Sequence, residues 1–303
     1  MDNVKLLQET LDIMQTGSYQ VGGVCRRLKL QPETFRRAVY LSAEQVSVVK
    51  PKPLERSAGL PDRPCNCSVA NEDSFSAARE MIVRCGLGNG FQPSCDWLQI
   101  ASGRVLVLNF ANPVNPGGGV RFGAKAQEED LCRKSTLLVS LESPEAAPFY
   151  TTHQAVGSLL SSNAMILSPD VEIIRDQNNA FLADSQVVSV LTCAAPIVIV
   201  GNRPAKGILD RLLYDRIMGI LHVAAAYHYH YLVLGAWGCG AFGNDAKQVA
   251  ESFYCALRDF CRENDTYASY FRDIVFAVLD RSNSQYNFRC FEEQFRHFKE
   301  RES

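Results

Sequence analysis

The hydrophobic pattern changes character along the chain. Residues 6–15, LLQETLDIMQ, place apolar side chains at helical spacing, which predicts an amphipathic helix. The stretch TGSYQVGG (16–23) breaks it. LQPETFRRAVYLSAEQV (30–46) then sets Pro32 near the start of a second helical pattern. Residues 1–50 therefore read as helical. From Lys50 to Pro64 proline and charge dominate, and the segment reads as an extended linker.

Beyond residue 65 strand and helix patterns alternate. NCSVAN (66–71) reads as a short strand, and Asp73 or Ser74 can cap the helix SFSAAREMIVRC (74–85). RVLVLN (104–109) is a continuous apolar run, the mark of a strand buried on both faces. QEEDLCRKSTLLVSLES (127–143) is helix-like, with Leu131, Leu137, Leu138 and Leu141 on one stripe. Two short strands, 164–168 and 171–176, are expected either side of Pro169. DQNNAFLADS (176–185) predicts a hairpin loop, and VVSVLTCAAP (187–196) another buried strand. Then follow a long helix (207–228), a strand with a glycine-rich loop (231–245), a helix (246–264), a strand (273–280) and a closing helix (292–302). Residues 142–162 carry no assignable pattern. Strands alternating with helices imply an α/β sandwich around a mixed sheet.

The chain has 303 residues, enough for one large domain or a core with an appendage. Its composition, 47% hydrophobic and 21% charged, supports a sizeable core. A formal net charge of −2 excludes general nucleic-acid binding through a basic surface. An anionic ligand must therefore be held by local groups. No apolar run approaches membrane-spanning length, and the first residues lack a signal-peptide core. Eleven cysteines at irregular spacing read as small buried hydrophobes in a reducing compartment. A soluble protein of the cytoplasm or nucleus is expected, with no membrane partner. The five histidines, His153, His222, His228, His230 and His297, have no cysteine or carboxylate at ligand spacing, so no metal site is expected. His228 and His230 fall where a helix runs into a strand.

Candidate chemistry concentrates in NFANPVNPGGGVRFGAKAQEED (109–130) and in GCGAFGN (238–244). Both glycine-rich loops follow an apolar strand and precede a helix, where open α/β sheets bind ligands. Bare backbone lets successive N–H groups form an anion nest beside a helix N-terminus. Gly117, Gly118 and Gly119 can so cradle a phosphate without a lysine. Gly238, Gly240, Ala241, Phe242, Gly243 and Asn244 can hold the other side, and two such loops suit a diphosphate. Either loop can instead be a tight turn. Neither is a Walker loop or a full dinucleotide fingerprint.

Glu128 and Glu129 open the helix after the first loop. Adjacent helical residues point about 100° apart, so the two cannot do the same job. One can accept from sugar hydroxyls while the other faces the bond to be broken. Burial and mutual repulsion would raise one pKa. A protonated glutamate can then donate to a leaving oxygen, as glycosidic cleavage requires. Acids here also simply complement a helix N-terminus. Asn109 and Asn112 can bond a ribose or cap the turn. Phe242 can stack on a base or sugar. Asn244 or Asp245 can cap the next helix.

These residues resemble the signature of microbial-type poly(ADP-ribose) glycohydrolases: Gly-Gly-Gly, six to eight residues, then Gln-Glu-Glu. The gap here is seven, from Val120 to Ala126. The likeness continues through ILSPDVEIIRD, VVSVLTCAAP and LGAWGCGAFGNDA and spans most of the chain. It implies a macrodomain-like three-layer α/β/α sandwich at 65–303, with an N-terminal helical extension and linker at 1–64. It implies hydrolysis of ribose–ribose O-glycosidic bonds in poly(ADP-ribose), or action on ADP-ribosylated proteins, with ADP-ribose as product and no metal or other cofactor. Glu129 would be the acid, and Glu128 would orient ribose hydroxyls with Gln127 supporting the loop. Asn112 would contact the distal ribose and Gly117–119 the diphosphate and ribose. Gly240, Ala241 and Phe242 would form the second phosphate loop, with Gly243 altering its contacts. Two alternatives share this pocket: a hydrolase of single ADP-ribosyl linkages on protein, nucleic acid or small molecules, and a catalytically silent ADP-ribose reader.

Overall fold

The computed structural model describes residues 2–51, 65–88, 103–199, 203–263, 270–296 and 298. The segment read as a linker lies, from residue 52 onward, outside the described residues, as does the tail of the closing helix.

The N-terminal segment is helical only in part. Helix α1 (Asn3–Thr16) forms as its apolar spacing predicts, capped by Asp2. The breaker that follows is a β-hairpin, β1 (Ser18–Val21) and β2 (Val24–Arg27), around Gly22-Gly23. The second expected helix shrinks to α2 (Pro32–Phe35). Strand β3 (Val39–Leu41) and α3 (Ala43–Val48) take the rest, the latter opened by a Ser42–Gln45 capping box.

The core elements then alternate. Strand β4 (Asn66–Ala70) leads to α4 (Ser74–Arg84), which Asp73 caps, as expected. Strand β5 (Val105–Phe110) is followed by α5 (Gln127–Lys134), α6 (Leu137–Leu141) and α7 (Ala147–Val156). The single helix expected over 127–143 is thus broken at Ser135, whose strand-like backbone bridges to Ile173. The unassigned stretch 142–162 holds α7. Strands β6 (Met165–Arg175) and β7 (Phe181–Cys193) form the expected hairpin. Pro169 does not split β6. The ladder slips between Ser168 and Val171, and a bulge tolerates the missing N–H. The remainder is α8 (Lys206–Ala226), β8 (Tyr231–Leu234), α9 (Ala246–Glu263), β9 (Asp273–Ala277) and α10 (Tyr286–Phe295).

Seven strands make one mixed sheet in the order β3-β6-β7-β5-β8-β9-β4. β3, β6 and β7 pair antiparallel, while β7, β5, β8, β9 and β4 run parallel. Both faces are covered. On β5, Leu106 and Leu108 enter the core shared with α8, α9 and α10, while Val105 and Val107 enter the one under α4 to α7. These three layers make an α/β/α sandwich, and they bring the C-terminal ends of β5, β8, β9 and β4 to one edge, side by side. No helix among the described residues is long and apolar enough to cross a membrane.

Candidate active site

At that edge the two glutamates diverge as the helix repeat requires. Glu128 turns back to the end of β5. Its Oε1 accepts from Asn109 Nδ2 at 3.1 Å and its Oε2 from the Asn112 amide at 2.7 Å. Asn109 is fully buried and also donates to Thr192 Oγ1 at 3.2 Å. Asn112 spends its side-chain oxygen on its own turn, accepting from the amides of Val114 and Asn115 at 2.8 and 2.9 Å. Gln127 fastens the helix start to the strand. It accepts from the Phe110 amide at 2.9 Å and donates to Leu108 O and Ser74 Oγ at 2.8 and 3.0 Å.

Glu129 turns the other way, into the triple glycine. Its Oε1 accepts from the Gly119 amide at 2.9 Å, while its buried Oε2 has no partner among the described residues. Gly118 lies between both carboxylates. Its φ of +58° suits glycine, and a Cβ there would stand 2.5 Å from Glu129 Oε1 and 3.2 Å from Glu128 Oε2. The Gly118 amide is spent on Asn115 O at 2.9 Å. In this structure the loop grips the carboxylates.

Burial pushes the Glu128 carboxyl up to about 8, against the opposing pull of the Asn112 amide and the Asn109 side chain. The expectation that one of the pair is raised is therefore met by the glutamate whose two oxygens are both engaged. Cys132 and Tyr150, buried nearby, are also pushed up by burial.

The second loop is differently built. The amides of Gly240, Ala241 and Phe242 donate to no acceptor among the described residues, so three successive N–H groups are free beside the cavity. The loop is held from behind. Val198 N–H donates to Phe242 O at 2.7 Å, and Asn244 Nδ2 donates to Pro196 O and Gly238 O at 2.7 and 3.1 Å. Gly243, with φ +72°, presses against the Val198 carbonyl where any Cβ would collide. Asn244 and Gly243 thus shape the loop. Phe242, half-buried, packs on the core at its base and also lines the cavity.

A cavity of about 480 Å³ runs along this edge. Of the sequence-predicted residues, Gln127, Gly238, Gly240, Ala241 and Phe242 line it. Asn109, Asn112, Gly117, Gly118, Gly119, Glu128 and Glu129 cluster at the end of β5, next to Gln127, without lining it. The far wall escaped sequence reasoning: Glu72 and Ser74 after β4, and Ala277, Val278 and Leu279 at the end of β9. Half-buried Glu72 is pushed up to about 7 by burial and then by Glu80 and Asp73. The strand-end rule that singled out the glycine loops applies equally to NCSVANED and DIVFAVLD, which carry no glycine to attract notice.

Residues 7–176 match the family model described as microbial-type PARG, catalytic domain. The whole fold is similar to poly(ADP-ribose) glycohydrolase from Thermomonospora curvata, at 31% identity and a TM-score of 0.82, covering 97% of this chain and 99% of that one. The same enzyme has been solved with the inhibitor ADP-HPD, matching at 30% identity and a TM-score of 0.80, with 97% and 99% covered. The Deinococcus radiodurans enzyme in complex with ADP-ribose matches at 30% identity and a TM-score of 0.71, covering 89% of this chain and 98% of that one. Comparison with the curated proteins gave no match.

Proposed function

The chain belongs to the microbial-type poly(ADP-ribose) glycohydrolase family, and we propose that it hydrolyses ribose–ribose bonds of poly(ADP-ribose), releasing ADP-ribose, with Glu129 as the general acid. The observation that carries the assignment of the acid is the asymmetry of the pair. Glu128 has both oxygens engaged, whereas Glu129 keeps one buried oxygen without a partner among the described residues.

The strand order supports one direction for the ligand. The three free amides after β8 suit a diphosphate. The ribose to be cleaved then lies at the end of β5, and the adenosine extends toward the wall built by β9 and β4. The acid delivers its proton to the departing oxygen as the anomeric carbon gains oxocarbenium character, and water completes the substitution. Gly119 N–H fixes one oxygen of Glu129, leaving Oε2 for the leaving group. Glu128 orients ribose hydroxyls from its buried cradle. Reversal of ADP-ribosylation is the biological role that follows.

The test is Glu129→Gln, assayed on automodified polymer and on singly ADP-ribosylated proteins. ADP-ribose affinity is expected to persist while turnover on polymer falls by at least a thousandfold. Affinity and turnover falling together would make Glu129 a binding or folding residue. Release only from single modifications would move the substrate to those linkages. No release at all, with ADP-ribose still bound, would make the protein a reader.

A further inference from the structure

The turn Val120–Phe122 follows the triple glycine and is a single turn of 3-10 helix. It is fixed at both ends. Phe122 N–H donates to Gly119 O at 3.0 Å, and Gly123 N–H to Val120 O at 3.1 Å. Helix α1 braces it as well, through Asn3 Nδ2 to Gly123 O at 2.9 Å. Val120 is fully buried, yet Phe122 is 91% exposed. The turn thus holds out a large aromatic ring that takes no part in the core.

Its position is specific. The Phe122 N–H to Gly119 O bond closes one 3-10 turn, and a rise of about 2 Å per residue sets Phe122 roughly 6 Å along from Gly119. Gly119 is the residue whose amide holds Glu129, and a Cβ on it would meet Ala124 Cβ at 2.9 Å and Glu129 Oε1 at 3.7 Å. The stretch 120–126 also carries Arg121 and Lys125 and no acid. Arg121 is paired with Glu142 at 2.6 Å. Lys125 is exposed, lines the cavity, and has no ion-pair partner among the described residues.

We propose that Phe122 is a stacking platform for the adenine of the leaving unit. The inference rests on the reading of Glu129 as the acid. An acid must face the departing oxygen, so the leaving unit lies on Glu129's side, away from the wall that receives the released ADP-ribose. That oxygen belongs to an adenosine ribose, which places an adenine one sugar away from the scissile bond. Phe122 follows Gly119 by one turn, on a scale comparable with that separation, and an exposed aromatic face is what an unpaired base stacks on.

The experiment measures KM and kcat on polymer, and ADP-ribose affinity by calorimetry, for the wild-type chain, Phe122→Ala and Phe122→Trp. Phe122→Ala is expected to raise KM about tenfold, toward the lower end of what loss of a base-stacking aromatic costs. Its kcat stays within about twofold and its ADP-ribose affinity is unchanged, since the product has no leaving unit; Phe122→Trp restores KM. An unaltered KM in Phe122→Ala, or a matching loss of ADP-ribose affinity, would overturn the assignment. A wild type that releases nothing from polymer would bring down the glycohydrolase reading and this one with it. An active wild type with an indifferent Phe122→Ala would bring down this one alone.

Discussion

Replacing Gly118 with alanine puts a methyl group 2.5 Å from Glu129 Oε1 and 3.2 Å from Glu128 Oε2. Two costs follow, and they fall on different observables. The first is conformational. Gly118 has φ +58°, and an L-residue held in that region costs about 1–2 kcal/mol, enough to lower Tm by a few degrees in a chain of this size. The second is positional. To regain ordinary contact with the new methyl, the Glu129 carboxylate must retreat by about 1 Å, and a misplacement of that size costs on the order of 100-fold in rate. Gly118→Ala is therefore expected to remain folded, to lose about two orders of magnitude in kcat on polymer, and to keep most of its ADP-ribose affinity, because the β8 loop is untouched. Calorimetric Tm, ADP-ribose titration and initial rates at saturating polymer measure the three quantities. A variant with the expected drop in Tm but a kcat within threefold of wild type would refute the idea that bare backbone at this position sets the carboxylate.

Glu128 gives a pH signature. Its folded pKa of about 8 lies above the ordinary value near 4.3, so the neutral form favours the fold and the benefit is lost as pH rises through 8. Glu128→Gln removes that titration. Its stability relative to wild type should grow from pH 5 to 8 by a few kcal/mol at most and level off above, read from denaturant midpoints; a flat difference would mean that burial does not hold the carboxyl neutral. Asn244→Ala strips donors from Pro196 O and Gly238 O, a loss of about 1–3 kcal/mol. It should weaken ADP-ribose binding about tenfold by loosening the free-amide loop, and Asn244→Asp, which lacks the N–H donors, should fail to rescue it.

Much of this edge was legible because the local signals were strong. RVLVLN has the continuous apolar run of a strand buried on both faces, and the adjacent acids after the glycine run suit a helix start. The differences between pattern and structure have separate physical causes. Gly22-Gly23 breaks a helix, but a Gly-Gly pair between short alternating runs is also a hairpin signal. Pro169 predicts the end of a strand, but the two-for-one slip of β6 against β7 absorbs it. The helical spacing of 30–46 gave way because three residues, Val39 to Leu41, pair with Met165 to Leu167, a gain that no local pattern reports. At the site, the divergence of Glu128 and Glu129 followed from the helix repeat alone. Which of them is clamped depends on Asn109, Asn112 and Gly119 arriving together, and that is a tertiary fact.

The order of the sheet carries a consequence for how the molecule is made. Among the described residues strand β4 occupies an edge and pairs with β9 alone, so Asn66 meets Asp273 across about 200 residues of intervening chain. A ribosome delivering the chain from its N-terminus exposes β4 long before β9 exists, and closing so long a loop is slow. The cavity wall formed by β9 and β4 is therefore completed last. A nascent chain can build the loop that grips the glutamates while that wall is still missing, and the cavity takes its full shape only once β9 has been made.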